Sequence, residues 1–283
     1  MEPILPVLRC AVPTLYALVV ALYAVLFLGR GRRLGRLAGT VLPTTLVAHL
    51  LFLVAFVEAN ERIPLAALPE ILSVIAFMTA LAYYAVERST GNRSTGLFVL
   101  AFSAILQWGS SGRIALVQDV PELLRNPAFG LHTATAILGY AAFAVSAIYG
   151  LLYLFLYQEL KTNRFGRFYR KLPPLEILGK MNIRAAVLGL VSLTIGILSG
   201  IVWAARLHPG FLSDPMFLMT GVVWLVFAFG VFAHYRLGWR GKPTVYVSIS
   251  GFLLMGIVLV AVNLFLQTFH RFDVVAWNFS SLV

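Results

Sequence analysis

Apolar residues in this chain come in long runs, not in the alternation of a half-buried strand or the three-and-four spacing of an amphipathic helix. Eight runs stand out, at 11–28, 41–57, 65–86, 96–108, 130–157, 185–206, 216–235 and 244–266. A helix that crosses a bilayer needs about 20 apolar residues, with a range of about 17–25. Seven runs meet that length. The fourth reaches it only by continuing through Gly109, Ser110, Ser111 and Gly112 to about residue 116. The pattern predicts an all-α, polytopic transmembrane bundle of eight helices, forming one integral-membrane domain over 1–283.

Composition agrees. The chain is 60% hydrophobic and 12% charged, whereas soluble domains carry about a quarter charged residues. The net charge of +11 is no nucleic-acid signature, because the cations lie between apolar runs and not on one face. Cys10 is the only cysteine, which excludes an internal disulfide framework and any CxxC or CxxCH motif.

Charge then sets the topology. With the N-terminus outside and eight crossings, the inner connections hold Arg30, Arg32, Arg33 and Arg36, then Arg88 and Arg93. They also hold Lys161, Arg164, Arg167, Arg170, Lys171, Lys180 and Arg184, and finally Arg236, Arg240 and Lys242. These are sixteen of the 22 Lys and Arg. If the fourth run did not cross, the basic stretch 158–184 would fall outside, against the positive-inside rule. Both termini are therefore expected to be extracytoplasmic.

The chemistry-bearing candidates are histidines. By this topology His132 starts the fifth span on the outer side and His270 follows the eighth. His208 lies in an outer loop. His49 is inside the second span, about 12 Å from the start of its apolar run. His234 is in the last, cytoplasmic turn of the seventh. A buried imidazole is costly without a partner, so a histidine in a span marks a ligand or proton path by default. Two imidazoles facing each other across an apolar gap suit bis-histidine haem ligation. Two pairs at different depths, His132 with His270 and His49 with His234, would make two such stations. Plainer readings stand beside this one: hydrated interfacial histidines for the outer pair, and carbonyl capping for His234. A zinc site has little support, as no two histidines are three or four residues apart. Arg113, Arg125, Arg206 and Arg271 suit haem propionates or ordinary interfacial anchoring. Trp224 is deep enough to line a pocket. Ser192, Gly196 and Gly200, four apart, form a small-residue face that reads as helix packing.

Several segments carry a family resemblance. His132 with the run that follows it is similar to the fifth helix of the CcsA/HemX/YpjD group of cytochrome c assembly and haem-handling membrane proteins. LPPLE at 172–176, GILSGIVWA at 196–204, and Trp224 followed by His234-Tyr235-Arg236 and Gly238-Trp239-Arg240-Gly241 match that group in order, as do Asn263 and His270. The resemblance implies haem b held non-covalently, with His132 and His270 as external ligands and His49 and His234 as a transmembrane pair. Assembly enzymes of the group carry a tryptophan-rich segment ending in Trp-Asp before the seventh helix. This chain has HPGFLSDPMF at 208–217, which keeps Asp214 and lacks the tryptophans. That departure places it nearer the YpjD/HemX branch and argues against a haem-lyase enzyme.

The expected function is haem handling or export, tied to cytochrome c biogenesis or haem homeostasis, in the bacterial cytoplasmic (inner) membrane. Haem and the lipid bilayer are the expected partners, with no nucleic acid. Two alternatives remain open. One is a regulatory or scaffolding membrane protein that holds a cytoplasmic partner through 158–184. The other is a proton or ion pathway through the intramembrane histidines.

Overall fold

The computed structural model describes residues 4–29, 32–111, 122–163, 166–207 and 211–265. The elements are α1 (Leu5–Phe27), α2 (Arg32–Asn60), α3 (Leu68–Thr90), α4 (Gly96–Ser111), α5 (Pro127–Lys161), the short α6 (Arg167–Lys171), α7 (Leu175–Leu207), α8 (Pro215–Arg236) and α9 (Lys242–Phe265). Seven are long and apolar enough to cross a membrane, and Gly96–Ser111 is a shorter apolar helix. The protein is a multi-pass helical membrane protein. In hydrocarbon every backbone N–H and C=O needs a partner, and continuous helices supply it internally.

The helices outrun the apolar runs at several ends. α2 starts nine positions before residue 41, and α7 starts ten before 185. Hydropathy marks only the part of a helix that meets lipid; the flanks continue helical on their Arg, Leu, Lys and Met residues despite Gly35, Gly39 and Gly179. The fourth element stops at Ser111, and the expected extension to residue 116 lies outside the described residues.

Starts and stops follow local chemistry. Asn126 caps α5 by accepting from the Ala128 N–H, and Pro127 occupies the first turn. Asp214 caps α8, accepting from the N–H groups of Met216 and Phe217, with Pro215 next. These side chains satisfy donors a helix start leaves orphaned. Gly91 ends α3 at φ +68°, the left-handed geometry that favours glycine.

The stretch 158–184, expected to be a basic loop, is mostly helix: the end of α5, all of α6 and the start of α7. Two of its cations serve helix ends. Lys171 Nζ donates to the Leu28 carbonyl at 2.8 Å, and Arg184 donates to the Ser89 carbonyl. Both are carbonyls near the ends of helices, where a cation is favoured.

α5 is the central element. It packs most extensively on α7 and also on α3 and α9, while α1 packs on α2 and α4, and α8 on α9. Small residues bring α5 and α7 together. A Cβ on Gly139 would stand 2.9 Å from the Leu193 Cβ, and one on Gly196 would stand 3.1 Å from the Ala136 nitrogen. The small-residue face therefore packs as expected. Gly196→Leu should force the helices apart and destabilise the protein by about 1–3 kcal/mol, the usual overpacking range. A thermal melt in detergent would check this; an unchanged midpoint would mean that the seam is looser than these distances require.

Buried polar ties join the outer helices. Arg62 makes a two-pronged ion pair with Glu70, each N–O distance 2.8 Å. At the other end of α3, Glu87 accepts from the Tyr23 hydroxyl and from Arg93 Nε. Arg93 also donates to the Gly35 carbonyl.

Candidate functional site

His132 lies in the second turn of α5, at the end the charge distribution places outside. Its Nδ1 is 2.8 Å from the Gly196 carbonyl oxygen on α7. A carbonyl only accepts, so Nδ1 carries the proton and donates, and the neutral ring keeps its lone pair on Nε2. A backbone partner on Nδ1 is the usual way a protein fixes a metal-ligating tautomer. The ring lies over Gly200, where a Cβ would come within 2.6 Å of Nδ1. Gly200 is thus the space in which the imidazole sits, a role its spacing alone did not reveal. Phe129 is 6.3 Å from the His132 ring and 5.6 Å from Trp203, between ring centroids.

The floor of this region is held from the α2–α3 connection. The Ile63 N–H donates to the Leu124 carbonyl at 2.8 Å. Leu65, Val74, Leu124 and Phe129 form one buried cluster, with Ile63 and Trp203 packed against it. The Arg62–Glu70 pair next to it is buried, with side chains 6% and 1% exposed.

His234 repeats the tautomer pattern at the end of α8 that the charge distribution places in the cytoplasm. Its Nδ1 is 2.9 Å from the carbonyl oxygen of Trp239 in the following turn, so here too Nδ1 donates and Nε2 holds the lone pair of the neutral ring. The Trp239 N–H in turn donates to the Ala233 carbonyl, so the turn and the histidine are fixed together.

His49 is different. It is fully buried, and both ring nitrogens have partners. Nδ1 is 3.1 Å from the Tyr16 hydroxyl, and Nε2 is 3.0 Å from Ser73 Oγ. Ser73 donates to Gln107 Oε1 at 3.0 Å, which leaves its oxygen to accept from His49. Nε2–H then donates to Ser73 and Ser73 O–H to Gln107, while the Tyr16 hydroxyl proton serves Nδ1 and, at 3.5 Å, the Ala76 carbonyl. These hydrogen bonds join α1, α2, α3 and α4. Phe77 and Phe52 enclose the ring at 5.2 and 6.2 Å between centroids.

The structure does not bring His49 and His234 together as a facing pair. α2 packs on α1 and α3, whereas α8 packs on α7 and α9. Both ring nitrogens of His49 are also taken up by Tyr16 and Ser73, so neither is turned toward α8.

The other named residues divide clearly. Trp224 donates from Nε1 to Thr194 Oγ1 at 2.8 Å, joining α8 to α7 beside the stacked rings of Phe143 and Phe227. Asp214 is buried and caps α8. His208, His270, Arg271 and Arg113 lie outside the described residues. Among the described residues no cluster of three His, Cys, Asp or Glu could hold a bare metal ion. The donor chemistry of His132 and His234 instead fits a metal whose other ligands come with it, as in a porphyrin.

The comparisons with known proteins agree with this architecture. The chain matches the family model described as cytochrome C assembly protein over residues 10–270. Protein HemX of Bacillus subtilis (strain 168) is 24% identical over 273 residues, covering 92% of this chain and 95% of that protein. The cytochrome c biogenesis protein CcsA of Chlamydomonas reinhardtii is 32% identical over 158 residues, 54% of this chain and 42% of that protein. CcsA of Heterosigma akashiwo is 25% identical over 246 residues, covering 74% of this chain and 76% of that protein. The chain thus spans less than half of the Chlamydomonas reinhardtii CcsA, about three quarters of the Heterosigma akashiwo one and nearly all of the Bacillus subtilis HemX. On the extent of the family match, this chain belongs to the cytochrome C assembly protein family.

Proposed function

We propose that this protein binds haem b non-covalently and handles it at the outer face of a bacterial cytoplasmic membrane, within cytochrome c biogenesis or haem homeostasis. The observation that carries this is the His132 imidazole. It is oriented by the Gly196 carbonyl and seated over Gly200, and Nε2 is its proposed ligand atom. His270 is the proposed second ligand, and Arg271 or Arg113 would meet the propionates. Bound haem would supply an iron centre that takes an axial nitrogen on each face. The protein's part is to orient the imidazoles and shield the ring plane with Phe129 and Trp203. His234 is proposed as a separate contact at the cytoplasmic end, where haem could first be met. This is a handling role and not a haem-lyase one, because 208–217 lacks the tryptophans of the assembly enzymes. The family's link to cytochrome c assembly and the near full-length match to HemX support the reading.

A second reading has its own support. The hydrogen-bonded chain through Tyr16, His49, Ser73 and Gln107 suits proton transfer, with His49 as the relay. The visible spectrum of the purified protein separates the two. Haem handling requires a Soret band with split low-spin α and β bands, retained in His49→Phe. A colourless preparation from haem-replete cells would sink it and leave the proton reading.

A further inference from the structure

We propose that the cytoplasmic end of the α5–α9 seam binds one anionic phospholipid of the inner leaflet. The seam opens there into a groove of about 420 Å³. Its lining changes along its length. The deeper part is apolar, made by Leu151, Leu154 and Phe155 of α5 and the ring of Tyr246 of α9; the mouth holds Lys161 and Lys242. Lys161 is the last residue of α5 and Lys242 the first of α9. Both ammonium groups therefore belong to the end that the charge distribution places in the cytoplasm.

Lys242 is pre-positioned. Its Nζ lies 3.7 Å from the centroid of the Tyr157 ring, a cation–π contact that holds the charge at the mouth. Among the described residues, the ion pairs lie elsewhere and neither lysine has a carboxylate partner. An unbalanced pair of cations above an apolar floor matches an anionic amphiphile. The phosphodiester sits between the lysines, and an acyl chain runs along Leu151 and Phe155.

The occupant follows from where the floor points. Phe155 is 64% exposed and Tyr246 55%, and both lie on membrane-crossing helices, so the apolar part opens to lipid. A soluble peptide would have to enter the hydrocarbon to fill it. Haem carries similar charge, but no histidine lines the groove. A zwitterionic headgroup brings its own cation beside the two lysines and is disfavoured. Basic pockets between helices on the cytoplasmic side are known to select anionic headgroups in this way.

The test uses the full-length protein in nanodiscs of phosphatidylglycerol and phosphatidylethanolamine in equal amounts, with identical acyl chains. After transfer to detergent, native mass spectrometry counts the retained lipids. Wild type should retain phosphatidylglycerol over phosphatidylethanolamine by about tenfold or more, given about 1 kcal/mol for each lysine near an anionic headgroup. Lys161→Gln with Lys242→Gln should return the ratio to that of the bulk, and the two Lys→Arg replacements should keep it. Lys180→Gln should behave as wild type, since Lys180 pairs with Glu176. If the double glutamine variant aggregates, Leu151→Trp fills the floor with both charges intact and must lower retention. Equal retention of the two lipids by wild type would overturn the proposal. So would enrichment that survives both the glutamine pair and Leu151→Trp, and displacement of phosphatidylglycerol by excess haemin would reassign the groove to haem.

Discussion

His132→Ala is expected to lower the haem affinity of the purified protein by more than about 100-fold. Losing a partner that merely orients a ligating histidine costs about 10- to 100-fold in metal affinity, so losing the imidazole itself should exceed that. The variant should still fold, because His132 lies at the outer end of α5 and is only half-buried. Added imidazole should restore part of the low-spin spectrum by entering the vacated position. Gly200→Leu should act on the same site without touching the ligand, since the space it fills is the one the ring occupies. His270→Ala should reproduce the His132 effect if the two histidines share one iron. Titration with haemin, followed at the Soret band, reads all of these. Unchanged spectra in both single variants and in the double variant would remove the outer site and leave His234 as the remaining candidate of the same tautomer.

Arg62→Met should be among the most destabilising single changes in the protein, at about 3–5 kcal/mol, because it leaves Glu70 buried without its partner. The pair is two-pronged, and Glu70 also accepts from the Ala66 N–H. Arg62 further stacks on Phe56, 5.1 Å from the ring centroid. Exchanging both partners, as Arg62→Met with Glu70→Leu, should recover much of the loss, since no buried charge then stands alone. Thermal unfolding of the three variants checks this. A double variant no more stable than Arg62→Met would show that the loss comes from packing and not from charge. The same change should weaken haem binding, because Ile63 follows Arg62 directly and braces the cluster that holds Phe129 and Trp203.

The order of the long apolar helices was legible because hydrocarbon demands long apolar runs, the short α6 left no such run, and the crossing expected of the fourth run rests on the positive-inside rule. The helix ends were not legible, because hydropathy falls at the membrane boundary while the backbone continues helical, as at the start of α2. The site was legible in part for the same kind of reason. A histidine in an apolar run stands out by its cost, so His49, His132 and His234 were all marked as candidates. What each one does depends on partners that leave no local trace. The partner of His132 is a backbone carbonyl 64 positions away, and no side chain announces it. The partners of His49 are Tyr16 and Ser73, with Gln107 beyond, from three other helices. A trace of them was present, since Ser73 and Gln107 are small breaks of polarity inside apolar runs. The cap at Asp214 follows the usual Asp-Pro start of a helix, whereas the family likeness implies a place near the ligand for it.

α5 is also a ruler. His132 is 29 positions before Lys161, the end of the helix, about 44 Å at about 1.5 Å per residue. A hydrocarbon core is about 30 Å thick, and about 40–45 Å with both headgroup layers. Lys161 shares its groove with Lys242, the first residue of α9, so the two helices set out from one level. With α5 upright, the imidazole then comes out among the opposite headgroups, clear of the acyl chains. A ligand held there exchanges with the aqueous phase without crossing any part of the bilayer interior. For the proposed haem, the propionates would then need no buried counter-charge, and release would be set by the ligands that hold it and not by a membrane barrier.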